Sequence, residues 1–280
     1  MLEERSRGFI MLSAPAAAGL CNVTDVIVLC YHALSPTWDA ALSTTPQLFE
    51  RQLSTLVRRG YRGATFTEAV MAPPAERVLC VTFDDAYRSV DRLARPILDR
   101  LQLPATVFAP TDQIGAEGPL RWPGIDGWIG GPHESELTPM SWQELRALAD
   151  HGWEIGSHTG SHPHLTQIDD ASLESELTRS KAACERELDL PCTSLAYPYG
   201  DVDDRVVAVA GRSGYTAAAA LPGRLHAEET LRWPRIGVYW ADDERRFRMK
   251  VSRPLRAVRR TGAWEALQAL RDRRTPSPQR

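Results

Sequence analysis

A parallel α/β barrel is the fold class that this 280-residue chain predicts, and three observations lead to it. Short, continuous apolar runs recur along the chain, as in strands buried on both faces. Segments with helical periodicity separate them. About seven such strands in one chain favour a closed or nearly closed barrel, with an open doubly wound sheet as the alternative.

The first strand is residues 26–30 (VIVLC), ending at Tyr31-His32. Residues 46–59 follow as a helix: Thr45 is placed to cap it, Pro46 suits its first turn, and Phe49, Leu53, Leu56 and Val57 form one stripe before Gly60 stops it. A second strand, residues 77–83 (RVLCVTF), runs into Asp84-Asp85, with a helix over 89–101 behind it. The pattern continues with strand 105–109, helix 141–151, strand 153–156, helix 171–188 and strand 194–197; further strands are expected around 216–219 and 235–239. Residues 112–139 differ, being rich in Gly, Pro and Trp without periodicity, and such a long segment reads as a functional loop. Its Trp122 and Trp128 either stack on sugar rings or simply pack the loop. Residues 1–24 read as a flexible leader, 25–255 as one domain and 256–280 as a basic helix and tail.

Hydrophobic residues at 43% and charged residues at 25% are ordinary for a globular enzyme and argue against a disordered or fibrous chain. The formal charge of -3 leaves no broad cationic surface for phosphates, so nucleic acid is not an expected partner. Basic residues concentrate only after Arg245, as a solvated helix face or as a contact for an anionic membrane or glycan. Five cysteines without a CxxC pair suggest reduced thiols, and Cys30 and Cys80 sit in apolar runs as core residues. The leader is a poor signal peptide, since Glu3 and Glu4 spoil a basic start and Pro15 interrupts the apolar stretch. No run of about 18 apolar residues exists to span a membrane. A cytoplasmic location is expected, with the inner membrane face as a weak contact and export as the alternative.

Three polar groups stand where apolar strands end, and parallel strands in a barrel open on one face, so they converge. Asp84-Asp85 is the first; adjacent carboxylates at a buried strand end need a cation or a proton, unless one simply caps the next helix. The second is the run from Gly156 to His164, which holds three of the seven histidines. His158 and His162 are four apart, so a helical turn would aim both imidazoles at one metal; surface or core histidines are the plain alternative. The third, Tyr197-Pro198-Tyr199-Gly200, is either a turn presenting a backbone N–H and an aromatic wall or a turn and nothing more.

In this order, the three groups resemble the polysaccharide deacetylase family, also called carbohydrate esterase family 4 or the NodB-homology domain. Thr82-Phe83-Asp84-Asp85, His158-Thr159-Gly160-Ser161-His162 and Tyr197-Pro198-Tyr199-Gly200 look like the family's first three motifs, the last as found in one large branch. The resemblance runs from about residue 26 to 251 and implies a distorted (β/α) barrel of about seven parallel strands, similar to a TIM barrel. It implies Asp85, His158 and His162 as metal ligands, Asp84 as catalytic base and the backbone N–H of Tyr199 as an oxyanion donor. One carboxylate and two imidazoles suit zinc, with cobalt or nickel as alternatives, and leave positions open for water and substrate. Two family features are missing. Ala196 stands where many members carry an orienting Arg, and no Leu-x-His occurs near the end. In the branch resembling exopolysaccharide deacetylases the acid comes from the opening Tyr-His, which points to His32, with His226 as the alternative. Arg235 either substitutes for the missing Arg or forms a surface salt bridge, and with Tyr197, Pro198 and Tyr199 it completes the expected binding residues. The implied substrate is an N-acetylated hexosamine glycan or precursor, with an O-acetyl ester, a non-sugar amide, or glycan binding without catalysis as rivals.

Overall fold

The computed structural model describes residues 24–222, 229–261 and Trp264. The expected leader, Cys21, His226 and most of the expected basic tail lie outside them. Four strands come early: β1 (Asp25–Tyr31), β2 (Ala33–Leu34), β3 (Ser43–Thr44) and β4 (Arg62–Gly63). The remaining strands are β5 (Arg77–Phe83), β6 (Ala105–Ala109), β7 (Glu154–Ser157), β8 (Ser194–Ala196), β9 (Ala217–Ala220), β10 (Trp233–Pro234) and β11 (Ile236–Gly237). The helices are α1 (Pro46–Val57), α2 (Phe66–Met71), α3 (Arg95–Leu101), α4 (Trp142–Asp150), α5 (Asp170–Leu188), α6 (Asp204–Arg212), α7 (Glu244–Lys250) and α8 (Arg253–Arg259).

All pairings in the main sheet are parallel, in the order β10-β9-β8-β7-β6-β5-β1-β11, with β4 alongside β5. The two ends of this path are one piece of chain. Only Arg235 separates β10, which pairs with β9, from β11, which pairs with β1. A single extended segment thus closes the sheet by bonding to one neighbour with its first half and to the other with its second. Counted as one, it brings the barrel to seven strands. The expected strand at 235–239 therefore begins two residues early and is split, because its backbone serves two partners in turn.

Side-chain alternation assigns the layers. From β1 and β5, Ile27, Leu29, Leu79 and Val81 pack outward with α1 and α3 residues such as Leu53 and Leu98. Val28, Val78 and Cys80 point the other way, into a cluster with Phe66 and Ala69 of α2, Phe108 and Ala219. A third cluster joins Leu195 and Ala218 to α5 and α6 through Leu177 and Val206. Gly156 is required here, since a Cβ on it would stand 2.6 Å from the Phe108 ring. The helix starts follow their sequences: Thr45 Oγ1 accepts from Leu48 N, and Ser141 forms a capping box with Glu144. The expected helix over 89–101 is two pieces, a π-helical stretch Val90–Ala94 and then α3.

α8 is fastened to the opposite end of β1. Asp25 accepts from Tyr61 Oη, Arg253 Nε and Arg256 Nη2 at 2.7, 2.8 and 2.6 Å. Burial opposes the Asp25 charge, but these donors outweigh it and hold its pKa below the usual carboxylate value. A depressed folded-state pKa stabilises the fold above the unfolded value of about 3.9, and the benefit is lost as pH falls through the folded value. Asp25→Asn should therefore cost roughly 2–3 kcal/mol at pH 7 and much less near pH 3, measured by urea unfolding at both pH values.

Candidate active site

Four strand ends, those of β1, β5, β7 and β8, build the floor of one pocket. Its volume is about 730 Å³, and its lining includes His32, Asp84, Asp85, His158, His162 and Tyr199. The backbone is strained here. Among the described residues, seven non-glycines have positive φ, and five are Asp85, Ala86, Thr159, His162 and Tyr199; the other two, Gln102 and Asp189, are helix C-caps. Left-handed conformations of this kind cost of order 1–3 kcal/mol each and persist where surrounding contacts enforce them.

Asp85, His158 and His162 form a buried cluster. Both Nε2 atoms stand 3.4 Å from Asp85 Oδ1, longer than the roughly 2.7–2.9 Å of a charge-assisted hydrogen bond. Donors about 2.0–2.2 Å from a tetrahedral ion stand about 3.3–3.6 Å apart, so the spacing is that of ligands around a shared cation. Asp85 Oδ1 is buried without a hydrogen-bond partner, which fits an oxygen reserved for a metal. His158 Nδ1 lies 2.8 Å from the Ala196 carbonyl, so it carries the proton and leaves the Nε2 lone pair facing the cluster. The donor set therefore fits a divalent first-row ion. Burial works against charge on His158, yet Asp84 and Asp85 raise its pKa; on His162 burial prevails and lowers it.

The two imidazoles do not meet through a helical turn. Residues 158–164 form a loop in which Thr159 and His162 are left-handed, and Thr159 Oγ1 accepts from His162 N at 3.1 Å. Glu176 of α5 holds the loop from outside. Its Oε2 accepts from Gly160 N and Ser161 N, each at 2.8 Å. Gly160 leaves room for this clamp, because a Cβ would collide with the Arg179 guanidinium. Glu176 touches no candidate ligand and was not singled out from the sequence; only its position on the helix behind the loop marks it. Glu176→Ala should weaken zinc binding about 10–100-fold without changing helix content, read by chelator competition and circular dichroism.

Asp84 is held differently. Arg235 Nη1 donates to its Oδ1 and Nη2 to its Oδ2, both at 2.7 Å, and Nη1 also donates to Thr82 Oγ1 at 2.9 Å. Arg235 is fully buried, with its guanidinium 5.5 Å from the Phe108 ring centre. It is therefore not a surface ion pair; it lies outside the pocket lining and supports Asp84 from behind. Burial would raise the Asp84 pKa, but Arg235 and then His158 bring it down to about 2. Cys30, expected as simple core, adds a third contact: its Sγ is 3.4 Å from Asp84 Oδ2. Cys30, His32 and Asp84 also lie within metal-ligand distance of one another. They make a poor cation site, since Arg235 already neutralises the carboxylate and burial pushes the Cys30 thiol well up.

His32 opens on the pocket with its Nδ1 buried and unpartnered, and burial lowers its pKa despite the nearby Asp85 and Asp84. Of the third motif, Tyr199 lines the pocket, stacked on His164 at 3.9 Å. Tyr197 turns inward, its hydroxyl donating to Leu231 O, and neither it nor Pro198 reaches the pocket lining. The long loop also divides its tryptophans. Trp122 stacks on His162 at 4.2 Å and lines the pocket, while Trp128 packs edge-on against Trp38.

A parallel barrel with a buried Asp-His-His triad beside an Arg-held carboxylate defines a class, and comparison with known proteins identifies it. The polysaccharide deacetylase model matches residues 72–218, just over half of the chain, and the chain belongs to that family of hydrolases. YxkH of Bacillus subtilis, a candidate polysaccharide deacetylase, is 26% identical over 193 residues, covering 67% of this chain and 61% of its own. The poly-β-1,6-N-acetyl-D-glucosamine N-deacetylase of Staphylococcus aureus is 24% identical over 148 residues, 50% of this chain and 46% of that one. The chain thus spans about half to three-fifths of the length of these relatives. Among solved structures, the deacetylase PplD of Streptococcus pyogenes superposes with a TM-score of 0.66 at 23% identity, over 82% of this chain and 99% of that one. IcaB of Ammonifex degensii does so with 0.61 at 23% identity, over 77% and 92%. Both likenesses speak to the fold.

Proposed function

We propose that this protein removes N-acetyl groups from hexosamine units of a glycan or glycan precursor, with one divalent ion, most simply zinc, held by Asp85, His158 and His162. The observation that carries this reading is the triad's ligand spacing directly beside an ionised, Arg-held carboxylate on the floor of a sugar-sized pocket. The relatedness to an N-deacetylase of poly-N-acetylglucosamine supports the substrate class.

Bound there, a divalent ion would supply Lewis acidity and a water whose pKa is lowered towards ~7. Asp84 is the base. Its Oδ2 accepts from both Arg235 and Cys30, so the lone-pair count leaves room for an incoming proton on Oδ1. As the water loses that proton, its oxygen bonds to the acetamide carbon and the carbonyl electrons move onto oxygen, where the Tyr199 N–H donates. The C–N bond then breaks, its electrons leave with nitrogen, and the amine takes a proton from His32 while acetate departs. Because His32 rests neutral, it must first receive the proton that Asp84 removed. Their polar atoms lie within 4.8 Å, a distance that one water can bridge. Trp122 and Tyr199 supply aromatic walls for the sugar.

Acetate release from N-acetylglucosamine oligomers, acetylated xylan and a cyclic amide by the zinc-loaded protein tests the reading. Turnover of the first is expected to exceed the others. Preference for xylan would assign an O-acetyl esterase, and sugar binding with no acetate released from any of them would assign a binding module.

A further inference from the structure

One wall of the catalytic pocket is a row of four rings that runs outward from the metal cluster. Trp122 stacks on His162, His162 meets Tyr199 edge-on at 4.6 Å, and Tyr199 stacks on His164 with the two rings 13° from parallel. The inner pair is shut in, with Trp122 6% and His162 5% exposed. The outer pair is open: Tyr199 is 39% exposed and the His164 side chain 42%. Asp201 ends the row and also lines the pocket. Thr166 fixes its carboxylate, donating from N to Oδ2 at 3.0 Å and from its hydroxyl to both oxygens at 2.8 Å. Among the described residues no Lys or Arg pairs with Asp201, and His164 Nδ1 stands 3.7 Å from Oδ2, beyond hydrogen-bond distance. The carboxylate therefore keeps lone pairs for another donor. The hydrolysis itself employs neither His164 nor Asp201.

We propose that the His164–Tyr199 stack and Asp201 form a subsite for a second sugar ring of the same glycan, next to the sugar being deacetylated. The assignment rests on the proposed glycan reading of the pocket and narrows it: the substrate is a chain of at least two sugars, not a lone amino sugar. The pairing of groups suits a neutral pyranose. Its C–H face lies on an aromatic surface, while hydroxyls at its rim donate to a carboxylate held in place beside that surface. His164 and Asp201 are thus specificity-determining residues, and they read the neighbour of the reacting sugar. A His164 that served only to brace Tyr199 would affect one sugar and three alike.

Chain length reads the subsite directly. Dissociation constants of the zinc-loaded full chain would be taken from tryptophan fluorescence immediately on mixing, before turnover, with three probes: the methyl glycoside of N-acetylglucosamine and its β-1,4-linked and β-1,6-linked trimers. At least one trimer should bind about tenfold more tightly than the monomer, the scale of one aromatic contact and one hydrogen bond. The tighter trimer names the linkage. His164→Ala should remove most of this gain and leave the monomer's affinity unchanged, whereas His164→Phe, which keeps an aromatic face, should retain it. Asp201→Asn, which still offers Thr166 an acceptor, should remove part of the gain and tests the subsite independently of any change in fold at His164. Equal affinities for monomer and trimers would overturn the subsite. So would a gain that survives both His164→Ala and Asp201→Asn, or a His164→Ala variant that loses monomer and trimer binding equally. A protein that shows the gain, loses it in His164→Ala and yet releases no acetate would refute the deacetylase reading and leave the subsite standing. Acetate release without any gain from chain length would do the reverse, and binding of none of the three probes would overturn both.

Discussion

Asp84→Asn is expected to lower acetate release by about 10²–10⁴-fold while the protein still binds one divalent ion. Asparagine keeps the shape and one acceptor for Arg235, but it cannot take a proton from water. Metal is retained because the three cluster ligands, Asp85, His158 and His162, do not include Asp84. The substitution has a stability cost as well. Arg235 is fully buried and Asp84 is its one carboxylate partner among the described residues, so neutralising Asp84 strands a cation and should cost about 3–5 kcal/mol. Activity and metal content measured on the same sample separate the roles. Loss of the ion in this variant would mean that the two adjacent aspartates are assigned the wrong way round.

Arg235→Met should be nearly as damaging, for the opposite electrostatic reason. It leaves the Asp84 carboxylate buried with its chief counter-charge gone, at a cost of about 3–5 kcal/mol. Arg235 is the largest of the influences that bring the Asp84 pKa down to about 2, so its removal lets burial drive that pKa upward. With its pKa brought down to about 2, the wild-type base stays ionised through the mildly acidic range. In the variant the base is protonated over part of the acidic range, so the rate should fall at a pH where the wild type still works, and recover as pH rises. Arg235→Lys restores the charge without the two-pronged geometry and should lie between them. The double variant Asp84→Asn/Arg235→Met should be destabilised by less than the sum of the single changes, since each removes the charge that the other strands. An acid limb unchanged by Arg235→Met would refute the link between this arginine and the base.

The sequence carried the strands and the triad, and particular residues show where it stopped. β1, β5 and β6 are legible because strands buried on both faces are continuously apolar, and Asp84-Asp85 and the histidine run stand out where such runs end. The strand expected around 216–219 is there as β9, although its four alanines are poor strand formers, because β8 and β10 pair with it on either side. The histidine spacing suggested a helical turn, but two left-handed residues bring the rings together, and such backbone conformations leave little trace in residue type. Arg235 reads from the sequence either as a stand-in for an absent arginine or as a surface salt bridge. Its full burial was not legible, because that depends on the barrel closing around it at the split strand. Cys30 reads as core by its apolar neighbours, yet strand alternation turns it towards Asp84. Tyr197 and Pro198 share a motif with Tyr199, and only the turn's geometry decides which side chain meets the pocket.

On the proposed function, a metal held by Asp85, His158 and His162 drives amide hydrolysis. Its most direct test is to titrate metal-free protein with zinc while following metal content and acetate release from chitopentaose. The rate is expected to rise in proportion to zinc up to one equivalent per chain and then level off, and His158→Ala to abolish both the tight equivalent and the rate. A protein that takes up no stoichiometric metal and releases no acetate with zinc, cobalt or nickel would contradict it.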